Sequence, residues 1–139
     1  VTAPAVERWF EFMNSGDAEV LDDLLAEDVR FYSPAVHRPK QGRAVVTGFL
    51  MAAEHLFAGT DFRYVAQWVQ SDSAVLEFAV ELDGMQIEGV DIVHWNADHR
   101  ITSFKVMVRP LRGLQTVSTR MAETLEDMRP AGPPPAHGQ

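Results

Sequence analysis

The chain has 139 residues, 46% of them hydrophobic, which suffices for one domain with a real core and leaves no room for a second. Its formal net charge of −8 argues against nucleic acid and membrane surfaces as partners, because both demand clustered Lys and Arg. There is no cysteine, so disulfides, thiolate nucleophiles and Cys-based metal sites are excluded together; a reducing cytoplasm is the expected location, since no secretory leader pattern and no run of the roughly 20 apolar residues of a membrane helix is visible.

Val6, Trp9, Phe10 and Met13 recur at three- and four-residue spacing, which predicts an amphipathic helix over 3–14, with Thr2 and Pro4 suited to its start. Asn14-Ser15-Gly16 breaks it. Asp17 suits the N-cap of a second helix with a buried stripe of Val20, Leu21, Leu24 and Leu25. Residues 29–32 alternate in the manner of a strand that ends at Ser33-Pro34, and 35–42, with Pro39 and Gly42 and no periodicity, read as a loop carrying His37 and Arg38. Helical spacing returns over 43–57. Four strand-like runs follow, at 62–69, 74–82, 85–95 and 101–111, with Asp83-Gly84 a strong signal for a tight hairpin. Leu114, Val117, Met121, Leu125 and Met128 then predict a last helix, covering either its own sheet or a second copy. Helices before strands indicate an α+β domain over 1–129, followed by a Pro/Gly-rich tail over 130–139 in which His137 is expected to be silent.

Two stretches, DVRFYSPAVHRPKQGRAVV and IEGVDIVHWNADHRITSFKVMVRPL, resemble SnoaL-like proteins of the nuclear transport factor 2-like superfamily. The resemblance implies a ketosteroid isomerase-like, cystatin-like α+β barrel: a curved antiparallel sheet wrapped by the N-terminal helices into a cone. One such fold hosts isomerases, epoxide hydrolases, polyketide cyclases, dehydratases and non-catalytic binding modules. Ketosteroid isomerase uses a general base, a tyrosine and a protonated aspartic acid. Matched to it, GVDIVHW puts Asp91 at the aspartic acid, FYSPAVHRP puts Ser33 at the base, and WFEFMNSGD puts Trp9 at the tyrosine. Two departures in three argue against steroid isomerisation by that mechanism. Matched to limonene epoxide hydrolase, Asp91 fits one carboxylate, but Gly89 replaces an arginine and residues 101–108 offer no second acid. The single pocket aspartate of the polyketide cyclases is the template the sequence does not contradict.

Strand alternation puts Ile87, Gly89, Asp91 and Val93 on one face, with Leu76, Phe78 and Val80 and with Phe104, Val106 and Val108 on adjacent strands. Asp91 is the one charge among them. It is either a pocket acid or base with a raised pKa, or a carboxylate held by a donor such as Trp9 or His37 for structural reasons, or one on the opposite, solvated face of the sheet. His37 is a candidate proton shuttle near the cone's mouth. Trp9, Ser33, Phe49, Phe78, Ile87, Val93, Phe104, Val106 and Val108 are the candidate ligand-binding residues. Tyr64, with Tyr32 and the phenylalanines, reads as core or pocket wall. Glu77, Glu81 and Glu88 fall on the outer sheet face, where pairing with Lys105 and Arg109 is expected, and relatives use that face to form dimers. The five histidines show no ligand spacing, so neither a metal nor another cofactor is expected. The expected protein is a homodimer binding a small, mainly apolar organic molecule, with acid/base catalysis by Asp91 open. The alternative is a non-catalytic module whose cone is plugged by its own aromatics.

Overall fold

A computed structural model of the protein describes residues 3–129; the tail expected over 130–139, His137 included, lies outside the described residues, as does Thr2. Two short helices come first, α1 (Pro4–Ser15) and α2 (Ala18–Leu24). Gly16 ends α1 in the left-handed region (φ 67°), its N–H donating to the Phe12 carbonyl at 2.8 Å, and Asp17 caps α2 by accepting from the Glu19 N–H at 2.9 Å. The helical stripe ends one residue sooner than its spacing suggests. Leu25 is extended (φ −88°, ψ 135°) and opens β1 (Leu25–Tyr32), facing Ile101. It is buried as a strand residue just as it would be in a helix, so periodicity does not separate the two.

A two-residue strand, β2 (Lys40–Gln41), forms within the stretch expected to be loop and pairs with β1. After α3 (Arg43–Phe57) come β3 (Arg63–Val69), β4 (Ser73–Leu82), β5 (Met85–Trp95) and β6 (Ile101–Arg109), then α4 (Leu111–Met128). The last four strands form an antiparallel meander, and the β4–β5 turn has both Asp83 (φ 53°) and Gly84 (φ 78°) at positive φ, as a two-residue hairpin requires. The sheet order is β2-β1-β6-β5-β4-β3. β1 runs parallel to β6, so the sheet is mixed where an antiparallel one was expected. It is open and curved, with β2 and β3 as its edges, and not a closed barrel. The parallel pair arises because β1 meets β6 only after the chain has crossed α3 and completed the meander. No helix among the described residues is long and apolar enough to cross a membrane.

The helices pack on one face of the sheet. Along β4 and β5 burial alternates strictly: Ala74, Leu76, Phe78, Val80 and Leu82 turn in, and so do Ile87, Gly89, Asp91, Val93 and Trp95. Register then sets rows across three strands: Ala74–Val93–Phe104, Leu76–Asp91–Val106 and Phe78–Gly89–Val108. On the outer face Arg109 pairs with Glu88 at 2.6 Å as expected, whereas Lys105 lies over the Tyr32 ring, 5.0 Å from its centre.

Gly89 decides the shape of the interior. A Cβ there would collide with the Met107 carbonyl oxygen on one side and the Phe78 ring on the other, so the absent side chain is what lets Phe78 lie across β5 beside Asp91. Gly89→Ala is expected to destabilise the protein by about 1–3 kcal/mol in urea unfolding, through displacement of Phe78 or of the β6 backbone. Unaltered stability would show that the strands yield freely at this point.

Candidate functional site

Between the sheet, α1, α3 and α4 lies a cavity of about 320 Å³ with an overwhelmingly apolar wall. Asp91, on the central strand β5, is 5% exposed and reaches this cavity. Its carboxylate accepts a hydrogen bond from the Tyr64 hydroxyl at 2.5 Å, through Oδ2. The Tyr64 oxygen in turn accepts from the Trp9 indole N–H at 2.8 Å. One polar chain therefore links α1, β3 and β5 through an aromatic interior in which Phe62, Phe78 and Phe10 pack around Tyr64 at centroid separations of 5.2, 6.4 and 5.2 Å.

The direction of this chain follows from the chemistry of its first member. An indole N–H donates and never accepts, so the Tyr64 oxygen is the acceptor there, and its one hydrogen goes to Asp91. No hydrogen bond to Oδ1 of Asp91 exists among the described residues, and no fully buried side-chain polar atom lacks a partner, so Oδ1 opens onto the cavity. A proton carried by Asp91 therefore sits on Oδ1, facing whatever the cavity holds.

Burial pushes the Asp91 carboxyl up from 3.8 to about 7, and the Tyr64 hydrogen bond partly opposes that rise. Tyr64 is driven well above its ordinary value of 10.0, by burial first and then by the Asp91 charge and hydrogen bond, with the Trp9 N–H pulling the other way. Tyr64 thus remains a neutral donor near neutral pH, where Asp91 exists in both forms.

A bulge in β3 makes the chain possible. Tyr64 faces Phe78, but the register shifts between Tyr64 and Ala66, so that Gln67 stands opposite Leu76 and Trp68 opposite Val75. Tyr64 is thereby turned in toward Asp91, and Trp68 is turned out, 58% exposed. Alternation alone would have sent both the same way.

Of the expected ligand-binding residues, Trp9 and Ser33 line the cavity, as do Phe49 and Phe78. Phe104, Val106 and Val108 line it from β6. Ile87 and Val93 share the face of Asp91 but lie outside the lining. Ile87 is one pair farther along, opposite Val80, and is sealed in a cluster with Leu56 and Val117. Val93 is buried on the other side, between Ala74 and Phe104. His37 does not reach the cavity either. The Ser33 oxygen accepts the Val36 N–H at 3.2 Å, turning the backbone so that residues 33–36 rim the cavity while His37 projects into solvent. Asp91 is held by Tyr64, with Trp9 acting one link away. Tyr64 is the member of this polar chain that sequence reasoning assigns only to the wall, because its inward direction depends on the bulge that sets its register against Phe78. Among the described residues no group of three His, Asp or Glu side chains is placed to hold a metal.

Asp91 makes folding stability depend on pH. Below about pH 4 the carboxyl is protonated in folded and unfolded chains alike; between there and about 7 only the unfolded chain gives up the proton, so stability is lost as pH rises through that window. Against the wild type, Asp91→Asn is therefore expected to gain about 4 kcal/mol between pH ~4 and ~8 in urea unfolding. In a Tyr64→Phe background the upper end of that window should move above 7 and the gain should grow, because the opposing hydrogen bond is gone. A difference between Asp91→Asn and wild type that ignores pH would contradict the burial account.

The family model described as a SnoaL-like domain matches residues 6–104. Among solved structures, a steroid delta-isomerase from Pseudomonas aeruginosa is 32% identical, with 91% of this chain and 95% of that one covered and a TM-score of 0.81. A bacterial protein with a cystatin-like fold from Silicibacter pomeroyi is 29% identical over 86% of this chain and 84% of that one, with a TM-score of 0.79. An NTF2-like protein from Burkholderia xenovorans, 16% identical over 81% and 92% with a TM-score of 0.63, shares the fold. No curated protein matches the chain. On these matches, with an α+β cone and helices on one sheet face, the chain belongs to the SnoaL-like domain family of the nuclear transport factor 2-like superfamily.

Proposed function

We propose that the cavity binds a small, mainly apolar organic molecule bearing a carbonyl oxygen, and that Asp91 moves a proton on that molecule as an isomerase or cyclase would. The observation that carries this reading is a carboxyl with a pKa of about 7 whose free oxygen opens onto an apolar cavity. A general acid/base works best when its pKa lies near the working pH, where the donor and acceptor forms coexist. The wall supplies apolar area to hold the carbon skeleton, and the low polarity around Oδ1 strengthens any hydrogen bond made there.

The chemistry suited to one carboxyl is transfer within a single ligand. Asp91 as carboxylate takes a proton from the carbon next to the carbonyl, the C–H pair becomes the carbon–carbon double bond of the enolate and the carbonyl π pair moves onto its oxygen; as the carbonyl re-forms, Asp91 returns the proton to another carbon conjugated with the enolate. Tyr64 steadies the carboxylate through Oδ2 while Oδ1 does the exchange. The likeness to the Pseudomonas aeruginosa steroid delta-isomerase, at 32% identity, supports isomerisation as the class. Ser33 offers no base, since its oxygen is engaged with the Val36 N–H, so one residue must serve both roles. That same observation favours a second reading, in which Asp91 is a polar anchor in a binding module without turnover.

The two readings separate with 2-acetylnaphthalene, a fluorescent apolar ketone. Binding is expected to weaken about tenfold as pH rises through 7, when the Oδ1 proton that the carbonyl accepts is lost, and this pH dependence should vanish in Asp91→Asn. In deuterated buffer the wild type should speed exchange of the acetyl hydrogens, read by mass spectrometry, and Asp91→Asn should not. Binding without exchange leaves the anchor reading standing, and absence of binding sinks both.

We also infer that a second copy of this chain covers the outer sheet face. Trp68 and Met107, 58% and 51% exposed, stand there beside half-buried Val75, Val90 and Ile92, flanked by Glu77, Lys105 and the Glu88–Arg109 pair. An apolar centre with both charge signs around it is self-complementary under two-fold symmetry. Light scattering should give twice the chain mass for the wild type and a monomer for Trp68→Glu; a monomeric wild type would overturn this.

A further inference from the structure

The wall that α4 presents to the cavity contains one residue out of keeping with it. Val117, Met121, Ala122 and Leu125 line the cavity from this helix, and Ser118 lies among them, four residues before Ala122 and seven before Leu125 on the same apolar face. A serine inside a helix ordinarily spends its hydroxyl on the carbonyl four residues back. Two other hydroxyls of α4 do so: Thr116 donates to the Arg112 carbonyl at 3.0 Å and Thr124 to the Arg120 carbonyl at 2.8 Å. Ser118 makes no hydrogen bond among the described residues, although it is half-buried. Its oxygen is not fully sealed, and the residue forms part of the cavity wall.

Alanine at the same place would extend the apolar stripe and favour the helix, so the hydroxyl serves neither the helix nor its packing. An occupant of the cavity can pair with it. The other polar groups of the lining are already spoken for on at least one side: Trp9, Tyr64 and Asp91 bond one another, and Ser33 accepts from Val36. Ser118 is free both to donate and to accept. It also stands on a different element from Asp91, facing the sheet from the helical wall, and beyond residues 6–104, the stretch that the family model matches.

We propose that Ser118 is a second recognition point, which hydrogen-bonds a hydroxyl or carbonyl of the ligand remote from the oxygen addressed by Asp91, so that the ligand class is a mainly apolar molecule with two separated oxygen functions. This rests on the ligand-binding reading above. It makes Ser118 a specificity residue: it chooses among apolar ketones by a group that takes no part in the proton transfer.

The test compares 2-acetylnaphthalene with its 6-hydroxy and 7-hydroxy counterparts, which add a second oxygen at the far end of the same skeleton. In the wild type at least one hydroxylated probe should bind about fivefold tighter than the parent, and in Ser118→Ala that ratio should fall to one. Working with the ratio removes any general loss of fold or cavity in the variant, whose helix alanine favours. No preference in the wild type, or a preference that survives Ser118→Ala, overturns the role of Ser118 while leaving Asp91-dependent binding of the parent ketone intact. A parent ketone that does not bind overturns the cavity reading itself, and this inference with it.

Discussion

A carboxylate held away from water by aromatic rings is the constraint around which this interior is arranged. Left alone, an ionised Asp91 on the inward face of β5 would be strongly unfavourable. Two things make it tolerable: the carboxyl takes a proton readily, and the Tyr64 hydroxyl supports the charged form when it does not. Because the next donor is an indole, the polarity of the whole chain is set from α1 inward, and the carboxyl oxygen without a partner is the one facing the cavity. An accepting residue in place of Trp9 would remove that directionality.

The fold serves this arrangement at three places. The β3 bulge turns Tyr64 to Asp91 and at the same time hands Trp68 to the outer face, so a single extra residue shapes both the interior and the candidate contact surface. Gly89 clears the space that the Phe78 ring occupies beside the carboxyl. The Asp83–Gly84 hairpin fixes the β4–β5 register, which sets Leu76, Asp91 and Val106 in one row. Each is a backbone feature, and each decides where a side chain points.

This chain's lining is spare: one carboxyl, one phenol, one indole and two serines in an otherwise apolar wall. For the proposed proton transfer, that economy leaves the same group to give and to take the proton. For the proposed recognition it gives weight to the wall of α4, since the sheet side offers one free oxygen and the rim serine is partly engaged in its own turn.

The α+β order, the four meander strands, the hairpin and the inward position of Asp91 were all legible in the sequence, because each rests on local periodicity or turn chemistry that neighbouring residues carry. The resemblance carried by two short stretches added the cone. Other features were hidden because they depend on partners distant along the chain. Leu25 looks helical by spacing yet pairs with Ile101, and Tyr64 is ambiguous until the bulge sets its register against Phe78. His37 appeared near the mouth, but the Ser33–Val36 turn sends it outward, and Ile87 and Val93 share a face with Asp91 without sharing its cavity. The sequence by itself determined that a lone acid faces an apolar interior, since alternation along a strand is a local property. Only the tertiary structure decided that a tyrosine and a tryptophan hold it and which oxygen stays free, since a hydrogen-bond chain across α1, β3 and β5 exists only once those elements have packed.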